Sequence, residues 1–355
     1  MDLEDWRARI DAIDRQLLDL LNQRAQAAIE VGRAKGALGV PYYAPDREKE
    51  ILDRLERKNP GPFPTEAVRA IWREIFSASL ALEQPLRVAY FGPAATFTHQ
   101  AARSRFGSSA VFLPCRGIPE VFTEVERDCA DYGVVPVENS TEGPVNHTLD
   151  RLMDSDLLIS GEVLLEIHQH LISRSQDISE VKTIYSHPQA LGQCRHWLGE
   201  QLPDVPTVEV ASTAAAVERA ATEPNAAAIA SELAAQLYDL PILRRRIEDV
   251  SSNMTRFLVI SRRPSALTGR DKTSILLSIR DEVGALYRIL EPFALNTLNL
   301  TKIESRPTKR RPWEYVFFVD FEGHQEDPTV QKVLAELRMR CMFLKVLGSY
   351  PQAGP

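Results

Sequence analysis

The fold is indicated most clearly by one run near the middle of the chain, which reads Gly133-Val134-Val135-Pro136-Val137-Glu138-Asn139-Ser140-Thr141-Glu142-Gly143. Its first part is apolar and rich in valine, which predicts a buried strand, and polar residues and a glycine follow at once. Ligand sites in open α/β sheets lie at the carboxyl ends of strands. We therefore interpret this run as a strand that ends in a binding loop.

Residues 86–265 contain similar segments on both sides of this run, where short β-rich segments alternate with helical ones. Such alternation predicts layers of helices on sheets. The chain leaves the first half near Ile159 and returns at the end of the segment, which predicts two lobes with a cleft between them. The predicted strands are Arg87–Phe91, Gly133–Val137, Val163–Ile167, Thr183–Ser186, Val208–Val210, Ala227–Ala230 and Phe257–Ser261.

Three predicted strand ends carry hydroxyl groups into the start of a helix, a position that favours anions. Ser140 and Thr141 follow the strand Gly133–Val137, Ser186 ends the strand Thr183–Ser186, and Ser212 and Thr213 follow the strand Val208–Val210. Ser212 or Thr213 alone is most simply a helix cap. His187, which precedes a proline, is equally consistent with a structural turn. Three such ends in one segment favour a cleft that binds carboxylates.

Segments spread over the whole of residues 86–265 resemble the prephenate dehydratases. They are Val88-Ala89-Tyr90-Phe91-Gly92-Pro93-Ala94-Ala95-Thr96-Phe97-Thr98-His99, Pro136 to Gly143, Ser186-His187-Pro188-Gln189-Ala190-Leu191-Gly192-Gln193-Cys194, and Asn253-Met254-Thr255-Arg256-Phe257. The resemblance implies a two-lobed α/β domain, periplasmic-binding-protein-like, that converts prephenate to phenylpyruvate. It implies no cofactor.

The resemblance also implies roles for particular residues. It makes Thr255 the catalytic residue. Because a threonine hydroxyl by itself is only a weak acid, we interpret Thr255 as a proton donor that acts through its position. The resemblance implicates Glu138, Asn139, Ser186 and Gln193 in the same site. Arg256 either binds a substrate carboxylate or makes a structural ion pair, and the sequence leaves both alternatives open.

Residues 1–85 read as three helices with charged groups on their apolar faces. The first helix, ~35 residues and ~50 Å long, carries an apolar stripe that continues through Arg24 and Lys35. The stripe of the third helix is extended by Ser79 and Glu83. Each charge alone is most simply a helix-end side chain that reaches solvent. Together they favour a polar pocket, because buried charges need partners.

This segment resembles the all-helical chorismate mutases, on the runs Trp6 to Asp11, Val31 to Lys35, Asp46-Arg47-Glu48 and Ser77 to Glu83. In that family the matching residues clamp a dianion during an intramolecular rearrangement that needs no nucleophile or metal. Lys35 is the candidate for the breaking ether oxygen, and Glu83 is a second catalytic candidate. The remaining implied site residues are Arg7, Arg24, Arg47, Glu48 and Ser79.

Two departures from the mutase family and the length of the first helix add expectations. Some members have Gln where Glu83 stands, and some have Asp where Ala44 stands. An ionised Glu83 would repel the charge that develops on the ether oxygen, whereas a protonated one would donate to it. Three helices of such unequal length cannot close a core alone. We expect an intertwined homodimer or a higher homo-oligomer, with Arg7 serving the site of the partner.

Residues 271–355 have the element order βαββαβ, which predicts a ferredoxin-like α+β domain. The segments Asp281 to Leu286 and Ile303 to Pro307 resemble the phenylalanine-binding motifs of ACT regulatory domains. That resemblance implies that phenylalanine binds at Gly284, Ala285, Leu286, Glu304, Ser305 and Arg306. A glycine at a helix start lets an amino acid approach the backbone closely, although a plain strand-to-helix turn has the same pattern.

Composition excludes several other classes of protein. A formal net charge of −7 argues against nucleic-acid binding, and the absence of a long apolar run predicts no membrane partner. The acidic N-terminus lacks the features of a secretory signal, and the four cysteines show no metal-ligand spacing, so we expect a cytoplasmic protein without a metal.

The three parts predict one pathway segment from chorismate through prephenate to phenylpyruvate, inhibited by phenylalanine. Two alternatives stay open. One is an enzyme with a degenerate mutase or a preference for arogenate. The other is a non-catalytic amino-acid sensor.

Overall fold

The computed structural model describes residues 2–39, 42–280, 282–308 and 315–353. Asp281 of the quoted motif lies outside the described residues. Contacts divide the chain into two compact units, Met1–Arg87 with Phe106–Val111 and Val88–Arg105 with Phe112–Pro355. Within the described ranges, no helix is long and apolar enough to cross a membrane. The same ranges contain no cluster of three or more potential metal-ligating side chains.

The first unit contains the helices α1 (Leu3–Leu38), α2 (Pro45–Lys58) and α3 (Thr65–Glu83). The prediction of one long first helix is confirmed, since α1 has 36 residues. Asp2 and Asp5 form a reciprocal capping box at its start, and Gly39 ends it with a left-handed φ of 65°. α3 is the helix that buries large apolar side chains, including Phe76 and Leu80.

Residues 87–261 fold into alternating strands and helices, as the sequence predicts. In chain order they are β1 (Arg87–Phe91), α4 (Phe97–Phe106), β2 (Val111–Cys115), α5 (Ile118–Glu126), β3 (Tyr132–Asn139), β4 (Gly143–Pro144), α6 (Asn146–Asp154), β5 (Leu158–Glu166), β6 (His170–Ser173), β7 (Thr183–Ser186), α7 (Pro188–Gln193), α8 (Arg195–Gln201), β8 (Thr207–Glu209), α9 (Thr213–Thr222), β9 (Ala226–Ala230), α10 (Glu232–Leu237), β10 (Ile242–Arg244) and β11 (Met254–Ser261).

These strands form two sheets, which confirms the prediction of two lobes. The first has the order β2-β1-β3-β11-β5, with β4 paired to β3, and the second has the order β10-β6-β9-β7-β8. β11 returns from the second lobe and lies antiparallel between β3 and β5. The last strand of the segment therefore lies beside the strand that carries the Glu138-Asn139 motif.

The sequence analysis missed four strands, and their composition explains why. β2 contains Pro114, which cannot donate to a ladder, and it lies at a sheet edge. β10 is also an edge strand of only three residues, and β4 has two. β6 begins with a histidine and is buried at every residue, so its sequence His170-Leu171-Ile172-Ser173 shows no alternation of apolar and polar residues.

The C-terminal domain comprises β12 (Asp271–Ser278), α11 (Ala285–Leu295), β13 (Leu300–Pro307), β14 (Tyr315–Glu322), α12 (Pro328–Arg340) and β15 (Phe343–Pro351). Its antiparallel sheet has the order β13-β14-β12-β15. This arrangement confirms the predicted βαββαβ order of a ferredoxin-like domain. α11 and α12 pack one face of the sheet through a core that includes Ile289, Phe293 and Val333.

The other face of the C-terminal sheet packs against the first lobe. Leu276, Phe318 and Leu347 share one hydrophobic core with Val137 and Leu258 of β3 and β11. The two layers therefore bury a continuous apolar interface.

Close approach of β15 to β5 depends on one glycine. Gly348 has φ of 149°, and a Cβ built there would lie 2.2 Å from the carbonyl oxygen of Ile159. Only glycine has the space and the backbone freedom for this position.

Candidate active sites

In the first unit, the structure brings Arg24 of α1 against Ser79 of α3. Arg24 Nη1 donates to Ser79 Oγ at 2.5 Å, and Ser79 Oγ donates to the carbonyl oxygen of Ile75 at 2.6 Å. The guanidinium also lies 5.4 Å from the ring centre of Phe76. Burial lowers the pKa of Arg24 below its ordinary value, while the nearby charge of Glu48 opposes this shift. Arg24 is thus a partly desolvated cation in a fixed orientation.

Lys35 of α1 and Glu83 of α3 meet further along the same two helices, about three turns beyond Arg24 on α1 and about one turn beyond Ser79 on α3. Lys35 Nζ donates to the carbonyl oxygen of Tyr42 at 2.6 Å and lies 3.3 Å from Glu83 Oε2. The approach of α3 depends on Gly32 of α1, because a Cβ at that position would lie 2.9 Å from Glu83 Cγ. Four predicted residues, Arg24, Lys35, Ser79 and Glu83, are therefore joined in two contacting pairs on α1 and α3.

Two other predicted mutase residues lie at the surface of the chain. Arg7 pairs with Glu4 on the same helix, and its side chain is 63% exposed. Arg47 pairs with Glu50 at 2.5 Å, also on an exposed helix surface. Within one chain neither side chain contacts the Arg24–Ser79 pair or the Lys35–Glu83 pair.

In the second unit, the two lobes enclose a cleft of about 710 Å³. Its lining includes Asn139, Gln193, Ser212, Thr213 and Thr255, which the sequence predicts as site residues. Ser212 is also the N-cap of α9, since its side chain accepts a hydrogen bond from the backbone of Ala215. Ser212 therefore both caps α9 and lines the cleft.

Asn139 and Thr255 form the best-defined polar contact of the cleft. They are directly paired across β3 and β11, and Asn139 Nδ2 donates to Thr255 Oγ1 at 2.8 Å. Asn139 Oδ1 accepts from the backbone N–H groups of Thr141 and Glu142, at 3.0 and 3.1 Å. These donors fix the orientation of the amide, because its oxygen must face them. Thr255 Oγ1 consequently accepts a hydrogen bond, and its own proton is available for donation.

Gln193 reaches across the cleft from α7. Its Nε2 donates to Glu142 Oε1 at 3.4 Å, and its Oε1 accepts from Gln169 Nε2 at 3.0 Å. Glu142 lies between β3 and β4 of the first lobe, so this contact joins the two lobes. Glu142 and Gln169 both line the cleft, although neither was predicted as a site residue.

Five predicted residues lie outside the cleft lining, and Arg256 is one of them. Ser186 is fully buried and donates to the carbonyl oxygen of Ile229 at 2.7 Å. Ser140 Oγ accepts from the backbone of Met254 at 2.9 Å, and Thr141 Oγ1 donates to Asn139 Oδ1 at 2.6 Å. These three hydroxyls hold the loop and strand ends in place. Glu138 points to the opposite face of β3 from Asn139 and is described with the C-terminal domain below.

Arg256 is also turned away from the cleft, into a buried ionic network. Its Nε lies 2.8 Å from Glu162 Oε2, its Nη1 lies 2.6 Å from Asp320 Oδ2, and its Nη2 donates to Tyr350 Oη at 2.9 Å. Lys272 completes the network with contacts to Glu162 of 2.9 and 3.0 Å. Of the two alternatives for Arg256, the geometry favours the structural ion pair.

The effect of its partners on the pKa of Arg256 outweighs the effect of its burial. Burial alone would lower the pKa of Arg256, but Tyr350, Asp320 and Glu162 together raise it above its ordinary value. Burial also raises the pKa of Tyr350 well above its ordinary value. Tyr350 therefore takes part as a neutral hydroxyl that bridges Arg256 and Ser274.

Arg116 is a lining residue that the sequence analysis missed. It follows β2, and it is the one arginine or lysine among the described residues of the cleft lining. An Arg-Gly pair directly after a strand was the available signal, but Pro114 concealed that strand. An exposed guanidinium at the cleft suits a carboxylate.

The predicted phenylalanine residues lie on two elements of the C-terminal domain. Gly284 precedes α11 with a left-handed φ of 77°, and a Cβ there would meet only the end of the Arg288 side chain. Ala285 and Leu286 follow in the first turn of α11, while Glu304, Ser305 and Arg306 lie on β13. Ser305 is exposed, whereas Arg306 is buried against the first lobe. Arg306 Nη2 lies 2.9 Å from Asp150 Oδ1, and Nη1 also contacts Asn146.

The predicted substrate residue Glu138 makes a parallel contact with the C-terminal domain. Lys302 Nζ of β13 lies 2.6 Å from Glu138 Oε2. The strand that carries Glu304, Ser305 and Arg306 is thus bound to the first lobe at two points.

Comparisons with protein families match three consecutive parts of the chain. The model for chorismate mutase type II matches residues 6–84, that for prephenate dehydratase matches residues 88–265, and that for the ACT domain matches residues 273–338.

Individual relatives match over nearly the full length. A bifunctional chorismate mutase/prephenate dehydratase of Aquifex aeolicus is 52% identical over 356 residues, which cover 99% of this chain and 98% of that one. The protein of the same description from Pseudomonas aeruginosa is 47% identical over 357 residues, with the same two coverages. Among solved structures, the prephenate dehydratase of Arthrobacter aurescens in complex with L-Phe has a TM-score of 0.69 and 36% identity. The match covers 76% of this chain and 90% of the chain from Arthrobacter aurescens.

Proposed function

This chain belongs to the family of bifunctional chorismate mutase/prephenate dehydratases, and we propose that it makes phenylpyruvate from chorismate in two consecutive steps of phenylalanine biosynthesis. The main support for this proposal is the match of all three domain models in order, together with relatives that align over 99% of the chain. Prephenate is the product of the first step and the substrate of the second. Phenylalanine, the end of the pathway, inhibits through the ACT domain.

The mutase step needs only positioning and charge. Chorismate carries two carboxylates, and Arg24, already oriented by Ser79, suits one of them through a bidentate contact. Lys35 stabilises the negative charge that develops on the ether oxygen as its bond to carbon breaks. Glu83 and Tyr42 hold the ammonium group of Lys35 in place. No group on the chain gains or loses a proton in this step.

A second copy of the chain completes the mutase site in this proposal. The apolar side chains along α1 are largely exposed within one chain, among them Trp6, Ile10, Ile13, Leu17 and Leu20. A long apolar stripe on a surface helix favours burial against another protein surface. Pairing of α1 with α1 of a second copy would cover this stripe and bring Arg7 of one copy towards the site of the other.

The dehydratase step combines loss of carbon dioxide with loss of the ring hydroxyl. The electron pair of the bond to the ring carboxylate moves into the ring, and the carbon–oxygen bond to the hydroxyl breaks with its own pair. A proton must convert the departing hydroxide to water. Thr255 is placed to pass this proton to the departing hydroxyl, because Asn139 Nδ2 occupies a lone pair of its oxygen, and it regains a proton from solvent. Gain of aromaticity supplies the driving force.

Recognition of the prephenate dianion is assigned to cationic and N–H groups of the cleft. Arg116 supplies a guanidinium, and Ser212 and Thr213 stand at the start of α9, where backbone N–H groups favour anions. Burial of the ring carboxylate away from water favours its loss as neutral carbon dioxide.

Phenylalanine is proposed to bind at Gly284 and the neighbouring turn, together with Glu304 and Ser305 of β13. The N-terminus of α11 favours a carboxylate, and Glu304 offers an acceptor to an ammonium group. Bound phenylalanine would act by favouring one of two arrangements of β13 against the dehydratase lobe. We also propose that the enzyme is cytoplasmic.

One set of assays tests the whole proposal. Purified protein is given chorismate, then prephenate, then arogenate, and aromatic product is followed with and without phenylalanine. Phenylpyruvate from the first two substrates, suppressed by phenylalanine, is the expected result. Product from prephenate but not from chorismate would mean an inactive mutase. Turnover of arogenate in preference to prephenate would change the substrate, and no turnover of any substrate would favour an amino-acid sensor.

A further inference from the structure

Gln169 lies where the chain crosses from the first lobe to the second, between β5 and β6. Its backbone N–H donates to Glu248 Oε2 at 2.9 Å, and its carbonyl oxygen accepts from the N–H of Ile247 at 2.9 Å. The residue is only 2% exposed, although it lines the dehydratase cleft. The side chain therefore extends into the cleft wall from a backbone that is held on both sides.

Three side chains form a directional series of hydrogen bonds from this point. Gln169 Nε2 donates to Gln193 Oε1 at 3.0 Å, and Gln193 Nε2 donates to Glu142 Oε1 at 3.4 Å. A carboxylate only accepts, so Glu142 requires the nitrogen of Gln193 to face it. The oxygen of Gln193 must then face Gln169, which can satisfy it only with its own nitrogen.

Reversal of either amide places like groups together. If Gln169 alone were reversed, its oxygen would face the oxygen of Gln193. If both were reversed, the oxygen of Gln193 would face the carboxylate of Glu142. Glu142 at one end and the donor of Gln169 at the other thus hold Gln193 in one orientation.

In this orientation the side-chain oxygen of Gln169, Oε1, is buried and is left without a hydrogen-bond partner among the described residues. It is the one such atom that belongs to a described residue of the cleft lining. The great majority of buried polar groups in proteins are paired, and local exceptions concentrate at functional sites. An apolar side chain would fill the position without an unpaired buried oxygen, so the donor itself is the useful part of Gln169.

We propose that Gln169 is a positioning residue of the dehydratase site, which orients the amide of Gln193 so that N–H donors face the carboxylates of prephenate. Gln193 Nε2 carries two protons, and Glu142 takes only one of them. The second is available to an anion in the cleft. An amide in the reversed orientation would present its oxygen and repel the same anion. The proposal rests on the dehydratase function proposed above.

The test compares four variants with the wild-type chain in steady-state turnover of prephenate. Gln169→Leu removes the donor, Gln169→His replaces it with an imidazole N–H, Gln193→Leu removes the oriented amide, and the fourth variant combines Gln169→Leu with Gln193→Leu. We expect Gln169→Leu to raise KM for prephenate about tenfold, with kcat changed less than about threefold. Gln169→His should lie within about threefold of wild type in both constants. The double variant should match Gln193→Leu, because a residue that acts through another adds nothing once that other is gone.

Controls separate this inference from folding and from the proposed function. Gln236→Leu makes the same substitution on the exposed surface of α10 and should leave KM unchanged. Thermal midpoint and phenylalanine inhibition report folding, and Gln169→Met replaces Gln169→Leu, with the same expectations, if the latter is misfolded. A wild-type KM in Gln169→Leu, or an equal loss on top of Gln193→Leu, overturns the proposal. Absence of prephenate turnover by the wild-type chain would instead overturn the dehydratase assignment.

Discussion

Lys302 Nζ lies 2.6 Å from Glu138 Oε2, so the strand that carries the predicted phenylalanine motif is ion-paired to the strand that carries Asn139. Asn139 is the next residue to Glu138, and it donates to Thr255. A change in the position of β13 would therefore reach the Asn139–Thr255 pair through one salt bridge and one peptide unit. The shared hydrophobic core behind these strands makes the same connection by packing.

We predict that Lys302→Met weakens phenylalanine inhibition of the dehydratase, with a rise of about fivefold in the concentration for half inhibition. Coupling free energies between sites are typically a few kcal/mol, and a partly exposed ion pair contributes about 1 kcal/mol of this. Dose–response curves for phenylalanine measure the effect. Glu138→Gln should act similarly, and the double variant should be no worse than either single one. Lys332→Met, at an exposed position of α12, is the matched control. An equal change in half-inhibition there would contradict the prediction.

Arg256 is predicted to be essential for the stability of the dehydratase and ACT domains together. Arg256→Met leaves Asp320 buried without its cation and leaves Glu162 with Lys272 alone. Removal of one partner from a buried ion pair typically costs about 3–5 kcal/mol. Urea unfolding followed by tryptophan fluorescence should show a loss of this size. Arg262→Met, which breaks the exposed pair with Asp128, should cost less than about 1 kcal/mol. A loss in Arg256→Met as small as that expected for Arg262→Met would mean that the network contributes little to stability.

Thr255→Val is predicted to abolish most dehydratase turnover while the fold is kept, because valine has nearly the same shape and no proton to donate. The loss of one general acid typically lowers kcat by about 10²–10⁴-fold. Thr255→Ser keeps the hydroxyl and should retain activity within about tenfold of wild type. Phenylpyruvate formation from prephenate measures both, and mutase turnover in the same samples is the internal control. Substantial activity in Thr255→Val would remove Thr255 from the mechanism.

Gly32→Ala is predicted to damage the mutase alone. The added Cβ would lie 2.9 Å from Glu83 Cγ and 3.3 Å from its Cα, so α3 must move away from α1. A displacement of this kind separates Glu83 from Lys35, and small misplacements at a site cost up to about 100-fold in rate. Chorismate consumption should fall at least about tenfold, with dehydratase turnover unchanged. Gly199→Ala, in a helix with open space around it, is the matched control. Wild-type mutase activity in Gly32→Ala would show that α3 can shift without consequence.

His99 is predicted to make stability depend on pH between about 4 and 6.5. Burial, aided by the charge of Arg103, lowers the pKa of His99 to about 4, and its neutral ring stacks on Tyr90 with centroids 4.6 Å apart. An unfolded histidine has a pKa of about 6.5, so the unfolded chain binds more protons in this window. Stability must therefore fall as the pH drops from 6.5 towards 4. His99→Gln removes this contribution.

Urea unfolding at pH 7 and pH 5 checks this prediction. The loss of stability between the two values should be smaller in His99→Gln than in wild type. His170, whose pKa is also lowered by burial, remains in the variant and accounts for part of the residual dependence. An identical loss in the two proteins would show that His99 does not titrate on unfolding.

The sequence predicted those features of the sites that depend on short-range pattern. The long helix α1 and the polar groups on its apolar stripe followed from a period of 3.6 residues. The alternation of strands and helices predicted two lobes, and polar strand ends located Asn139 and Ser212 at the cleft. Edge strands such as β2 were missed because they are short and contain a proline, and Arg116 was missed with it.

The direction of individual side chains could not be predicted from the motifs. Thr255 and Arg256 are neighbours in β11, and successive residues of a strand point to opposite faces. One therefore faces the cleft and the other faces the ACT sheet. The same alternation sends Asn139 to the cleft and Glu138 to Lys302. A motif records that both residues are present but not which face meets the ligand.

By itself, the sequence determined the pattern of helices and strands, and its motifs, through the families they resemble, indicated the kinds of domain, their order and the anionic ligands. These features could be predicted because each lies within a short segment. Only the tertiary structure decided which charges meet. Arg256 and Asp320 are 64 residues apart along the chain, and Lys302 and Glu138 are 164 apart. Such pairs form because folding closes the loops between them and removes water from around both partners. No local pattern encodes that encounter, so the link between the ACT domain and the dehydratase cleft exists only in the folded chain.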